Sequence, residues 1–206
     1  MRSRVRVLFR YVVISASVSL FAVGCASFPG KELPTYTYDN VTAPAAKLTA
    51  SYDVKALVFG KENERSAERM QEEIQKVLQA SPLFEKITPG TGIGEYQYSF
   101  LFKTEGNQAL AAISGFISGF TFTIIPGYAR DEFVLTVDVK RGNSLIKTYA
   151  YRDHMDSWIQ LLLVFLAPTH WPPDTSKEVF DNMLMNFLHD FSKDLNAGVL
   201  VAAQGK

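Results

Sequence analysis

Three histidines and one cysteine stand beside 21 acidic residues in a chain of 206. The stretch Arg152-Asp153-His154-Met155-Asp156 puts a histidine between two aspartates, residue types that can hold a metal ion or move a proton. That trio is incomplete by itself, because either chemistry needs His170, His189 or further carboxylates to converge on it from distant positions. The pattern predicts surface or cap residues around a helix start at Asp153 or Asp156, with no catalytic residue and no metal. Nothing else supplies a reaction centre. There is no G-x-S-x-G elbow, no H-E-x-x-H pair and no glycine loop that opens a helix and could cradle a phosphate. Gly90-Thr91-Gly92-Ile93-Gly94-Glu95-Tyr96 precedes a strand, so it reads as a turn.

The remaining reactive side chain is Cys25, and its surroundings explain it. Residues 1–10 carry four arginines and no acid, and residues 11–24 form a run of fourteen without a charge that ends in small residues. A basic start, an apolar run and a small-residue end make a secretory signal. Fourteen helical residues rise only about 21 Å, short of the roughly 30 Å hydrocarbon core, so this run is not a membrane span.

Ala22-Val23-Gly24-Cys25 resembles the lipobox of bacterial lipoproteins, in which a cysteine follows a small residue. The resemblance implies cleavage between Gly24 and Cys25, an S-diacylglyceryl group on Cys25 and an acyl chain on its new amine. No other cofactor is expected. The family favours leucine three residues before the cysteine; Ala22 stands there, which implies slower processing. Ala26 follows, where aspartate would resemble an inner-membrane retention signal, so the outer membrane facing the periplasm is expected, with the inner membrane and the cell surface as alternatives.

Removal of 24 residues from 206 leaves 182, and loss of four arginines leaves 17 basic against 21 acidic side chains. A mildly acidic body is a poor partner for nucleic acid. Its single cysteine forms no intramolecular disulfide, so stability must come from a packed core.

The elements that would form that core are legible from periodicity. Residues 25–50, rich in Pro, Thr, Gly and Ala, predict a lipidated N-terminus and flexible tether, residues 51–197 a globular domain, and residues 198–206 a tail. Strands are expected near 52–59, 83–88, 95–103, 131–140 and 144–152, the last two forming a hairpin around Arg141-Gly142-Asn143. Between the first two, Ala67, Met70, Ile74, Val77 and Leu78 make a helical stripe with Asn63 as N-cap. This strand-helix-strand unit resembles small α/β modules of periplasmic lipoproteins and secretion accessory proteins, a likeness of apolar spacing that transfers no site residue. A C-terminal amphipathic helix buries Val179, Phe180, Met183, Leu184, Phe187, Leu188, Phe191 and Leu195, with Thr175 and Glu178 as a capping box. The whole is an α/β class domain with a mixed sheet, α+β being the alternative.

Two apolar segments exceed what such a core requires. No charge occurs between Glu105 and Arg130, and Gly115 and Gly119 lie four apart, extended by Ala111 and Thr123 into a small-residue stripe that permits close helix approach. A second charge-free run, Ser157 to Pro173, carries Trp158 and Trp171 and an apolar block of ten residues, 158–167, too short to cross a bilayer. The two are expected to lie together as apolar helical segments, in the core or as a surface for membrane or partner. The function expected is a noncatalytic, lipid-anchored envelope protein that binds or supports another envelope component. The alternative is a lipid-handling or membrane-perturbing protein that uses residues 109–125 and 158–167.

Overall fold

Tyr96, Tyr98, Phe100 and Phe102 are buried, whereas Gln97, Ser99, Leu101 and Lys103 between them are half-exposed. A strand with one apolar face needs cover on that face alone. The computed structural model describes residues 24–92, 94–121, 125–160, 163, 165–166 and 168–200. In chain order these form β1 (Gly24–Pro29), β2 (Leu48–Val58), β3 (Lys61–Glu62), α1 (Glu64–Ala80), β4 (Phe84–Pro89), β5 (Tyr96–Gly106), α2 (Gln108–Phe120), β6 (Gly127–Arg141), β7 (Ser144–Gln160) and α3 (Pro172–Asn196).

The strands make one mixed sheet in the order β1-β7-β6-β5-β2-β3, with β4 also paired to β2. β2 runs parallel to β5 from Ala50↔Tyr96 to Val58↔Thr104, and parallel to β4 from Leu48↔Phe84 to Tyr52↔Pro89. β5 and β6 are antiparallel from Gln97↔Lys140 to Gly106↔Asp131. The α/β class, the mixed sheet and the strand-helix-strand unit read from the sequence therefore hold. Gly142, with φ of 58°, makes the turn between β6 and β7. Gly94 is constrained twice: its φ is 118°, and a Cβ there would stand 2.8 Å from the Cα of Ala50.

Contacts gather the chain into two compact units. Among the described residues, the first is drawn from 24–28, 107–130 and 156–175, and the second from 29–106, 131–155 and 176–200. The core of the second is aromatic. The ring of Phe187 lies edge-on to Tyr98 and Phe100, each with centroids 5.7 Å apart, and Phe191 lies edge-on to Tyr96 at 5.8 Å. Ile74, Val77 and Leu78 of α1 are buried as the helical stripe predicts, and the Asn63 side chain accepts a bond from the Ser66 N–H at 2.9 Å.

Four expectations are corrected. Residues 25–50 are not a loose tether, because polar and aromatic groups along them are engaged by the body. Asn186 Nδ2 donates to the Pro34 carbonyl at 2.8 Å, Tyr36 stacks on His189 at 3.9 Å, and the Tyr38 hydroxyl donates to the Val77 carbonyl at 3.1 Å. Secondly, Asp153 and Asp156 start no helix: β7 continues through them to Gln160, since Tyr149, Tyr151, Asp153 and Met155 keep alternating inward. Trp158 is thus on a strand and not in a second apolar helix. Thirdly, α3 starts at Pro172, the first-turn position that proline suits, so Thr175 caps nothing; its hydroxyl donates to the Ser27 carbonyl at 3.1 Å. Finally, the glycine stripe does not serve close packing, as the site geometry below details. The signal up to Val23, the tail from residue 201, and residues 122–124, 161, 162, 164 and 167 of the apolar segments lie outside the described residues.

Candidate functional site

The first unit holds Cys25 together with both apolar segments. Cys25 is the second residue of β1 and half-buried; that burial pushes its thiol up, against a weaker opposing effect of the Ser27 hydroxyl. β1 is held where it leaves Cys25. The Ser27 N–H donates to the His170 carbonyl at 2.9 Å, the Ser27 and Ser157 hydroxyls bond at 2.7 Å, and the Phe28 ring meets the His170 ring at 4.7 Å. Gly24, on the other side of the expected cleavage, is buried at the start of the same strand.

α2 is built inside out. Asn107 opens it, its side-chain oxygen accepting from the Leu110 N–H at 2.9 Å. The side facing its own unit carries Ala111, Ser114, Ser118 and Thr121, spaced at three and four residues. Ser118 is 2% exposed, and its hydroxyl lies 3.5 Å from the Ile159 carbonyl oxygen, to which it donates. Ser114 Oγ accepts the Tyr128 N–H at 2.6 Å. The opposite side carries Ile113, Phe116, Ile117 and Phe120, and the two phenylalanines are 75% and 79% exposed. Leu110 and Ile125 are exposed beside them.

Gly115 and Gly119 belong to the outward side. A Cβ on either meets no described atom within 4 Å, so the stripe expected to bring the helix close is replaced in that role by the serines. The two apolar segments do meet, at Ser118 and Ile159, and a Cβ on Gly127 would touch both residues. In the second segment Phe165 is 82% exposed, and Leu166 and Trp171 also face outward.

The same unit carries a polar cluster. Arg130 forks onto Asp156, Nε to Oδ1 at 2.7 Å and Nη2 to Oδ2 at 2.8 Å, and the Tyr128 hydroxyl donates to the same Oδ1 at 2.7 Å. Partial burial and then this carboxylate push the Tyr128 phenol up. Trp158 lies against the Tyr128 ring at 4.8 Å.

The histidines do not converge. His154 Nδ1 lies 2.9 Å from Glu32 Oε1, His189 Nδ1 lies 3.1 Å from Asp190 Oδ1, and His170 Nδ1 lies 2.9 Å from the Thr169 hydroxyl. Asp153 is buried beside His154 and accepts its N–H at 2.8 Å. Among the described residues no group of three His, Cys, Asp or Glu side chains could hold a metal ion. A cavity of about 210 Å³ in the second unit, lined by Lys31, Tyr36, Asp153, Asp181 and Met185, presents charged walls without a nucleophile paired to a base. The Glu32–His154 pairing joins residues 122 apart and left no local signal in the sequence. The reversed polarity of α2 did leave one: the serines at 114 and 118 recur on one helical face while the phenylalanines at 116 and 120 recur on the other.

No family model matches the chain, and no curated protein matches it. Among solved structures it is similar to a neuraminyllactose-binding hemagglutinin homologue from Helicobacter pylori, at 8% identity and a TM-score of 0.47, covering 85% of this chain and 97% of that one. It is similar also to a minor lipoprotein from Acinetobacter baumannii, at 9% identity and a TM-score of 0.40, covering 75% and 95%. A third likeness is to a DUF330 protein from Xanthomonas campestris, at 8% identity and a TM-score of 0.32, covering 79% and 96%. At these values the functional reading rests on the chain's own residues.

Proposed function

We propose that this chain is a noncatalytic lipoprotein of the bacterial envelope, anchored through acyl chains on Cys25 in the outer membrane and facing the periplasm, where it binds or supports another envelope component. One observation carries the reading: the only cysteine directly follows a complete secretory signal ending in small residues. Three acyl chains retain the protein essentially irreversibly, as each buried methylene contributes about 0.8 kcal/mol and a single chain binds only marginally.

The test is fractionation of cells carrying the wild-type chain or Cys25→Ser. Wild type sediments with outer membranes and crosslinks to an envelope protein in intact cells. Cys25→Ser loses the mature, acylated form. Equal maturation and equal outer-membrane retention of the two chains would refute the anchor, and a catalytic turnover that survives purification would refute the noncatalytic role. The second reading, lipid handling through residues 109–125 and 158–167, is favoured by the exposure of Phe116 and Phe120 alone. Transfer of labelled lipid between vesicles decides for it.

A further inference from the structure

We infer that the outward side of α2, with Phe165, Leu166 and Trp171, is a docking face for the lipid bilayer that the Cys25 acyl chains enter; this rests on the proposed lipidation of Cys25. The first observation is the polarity of the helix. A helix on a water-exposed surface turns its apolar stripe inward, and α2 turns serines inward and phenylalanines outward. Such a helix is suited to a solvent more apolar than the surface it covers.

The second observation concerns charge. No Asp, Glu, Lys or Arg lies between Glu105 and Arg130 or from Ser157 to Pro173, so neither segment places an ion on the face. A protein partner is ordinarily recognised through an apolar centre surrounded by hydrogen-bonding and charged groups, whereas acyl chains ask only for apolar area. The polar groups of the same unit follow directly on the charge-free runs: Tyr128, whose N–H bonds Ser114 of α2, lies against Trp158, and Arg130 forks onto Asp156. Tryptophan, tyrosine and a side chain that reaches toward headgroups are the residue types of a membrane boundary.

The third observation is where the anchor emerges. Cys25 belongs to the same compact unit as α2, and β1 begins at the residue before it. The apolar face of that unit therefore lies within a short distance of the bilayer that holds the acyl chains, with no linker to carry it away. α2 lies on the membrane and does not cross it: its 13 residues rise about 20 Å, and no described helix is long and apolar enough to span.

The chain's two tryptophans, at 158 and 171, report on this face directly. The mature lipoprotein is reconstituted into vesicles of phosphatidylethanolamine and phosphatidylcholine brominated at shallow acyl positions. Tryptophan emission falls about twofold relative to unbrominated vesicles, because Trp171 belongs to the docked face and indoles settle at the headgroup boundary. In Phe116→Glu/Phe120→Glu the quenching is largely lost, while the far-ultraviolet circular dichroism is unchanged, since both side chains already face outward. Leu145→Glu, an exposed leucine of the second unit, retains the wild-type quenching. The mass of the N-terminal peptide, read on the same sample, separates the two ideas. An acylated protein whose tryptophans are not quenched overturns the docking face, and concentration-dependent crosslinking between α2 helices would then assign it to a second copy. Quenching without acylation leaves the face standing and removes the anchor.

Discussion

The main-chain N–H of Tyr128 donates to the Ser114 hydroxyl oxygen at 2.6 Å, so the side of α2 that meets its own unit is the hydroxyl-bearing side. A helix with an overall apolar composition is thus oriented by a few polar contacts, and its aromatic side is left outside.

That orientation reverses the expectation for the glycines. With open space at the Cβ positions of Gly115 and Gly119, substitution by alanine adds helix propensity without a clash, and each change raises stability by about 0.5–1 kcal/mol. Ser118→Leu forces a larger side chain into a buried position beside Ile159 and lowers stability by about 1–3 kcal/mol. Urea denaturation of the three variants measures both. Destabilisation by the glycine changes with a neutral Ser118→Leu would mean that the glycines, and not the serines, face the protein.

The second unit offers a test of its aromatic core. Phe187 is fully buried among Tyr98, Phe100, Tyr149 and Phe191, so Phe187→Ala opens a cavity and costs about 3–5 kcal/mol. Tyr98→Phe goes the other way. The Tyr98 hydroxyl is buried with no hydrogen-bond partner among the described residues, and removing it relieves about 1 kcal/mol of desolvation cost. Thermal melts of the two variants shift in opposite directions, and a fall in stability for Tyr98→Phe would reveal a partner for that hydroxyl.

Much of this architecture was legible in the sequence, for reasons visible in particular residues. The period-two alternation from Tyr96 to Phe102 and the stripe from Ala67 to Leu78 are imposed by burial on one side of one element, so they survive as local patterns. The alternation predicts a strand that ends at residue 152, eight short of the end of β7, because Asp153 occupies an inward position where the pattern asks for an apolar residue. Its carboxylate is satisfied there by the N–H groups of His154 at 2.8 Å and Glu32 at 3.3 Å, the latter from a segment far away in sequence. The same long-range pairing explains why residues 25–50 read as a tether: their partners, among them Asn186 and His189, come from α3. For the site, Cys25, the two apolar segments and the two faces of α2 are legible in the sequence, whereas the choice of the serine face as the inward one is made by contacts with Tyr128 and Ile159, which come from later in the chain.

Acid should weaken the fold through Asp194. Partial burial acts to raise this carboxyl, but the Lys147 ammonium and the Tyr149 hydroxyl, both donating to Oδ2, outweigh it and hold the group below the ordinary aspartate range. A carboxyl lower in the folded than in the unfolded chain stabilises the fold above about pH 4, and that contribution disappears as pH falls through the folded value. Asp194→Asn therefore lowers stability by about 1 kcal/mol at pH 7, a modest figure because both charged partners remain solvent-accessible. The gap between wild type and variant closes as pH falls below about 4. A gap that is constant from pH 7 to pH 3 would show that the interaction is structural and not ionic.

Lipid attachment at Cys25 is decided most directly by mass spectrometry of the mature N-terminal peptide isolated from outer membranes. The peptide should begin at residue 25, with a diacylglyceryl group on sulfur and a third acyl chain on the α-amine, and the same peptide should be absent from cells carrying Cys25→Ser. A mature chain that begins elsewhere, or a Cys25 peptide with a free thiol and a free amine, would contradict the lipid-anchored reading.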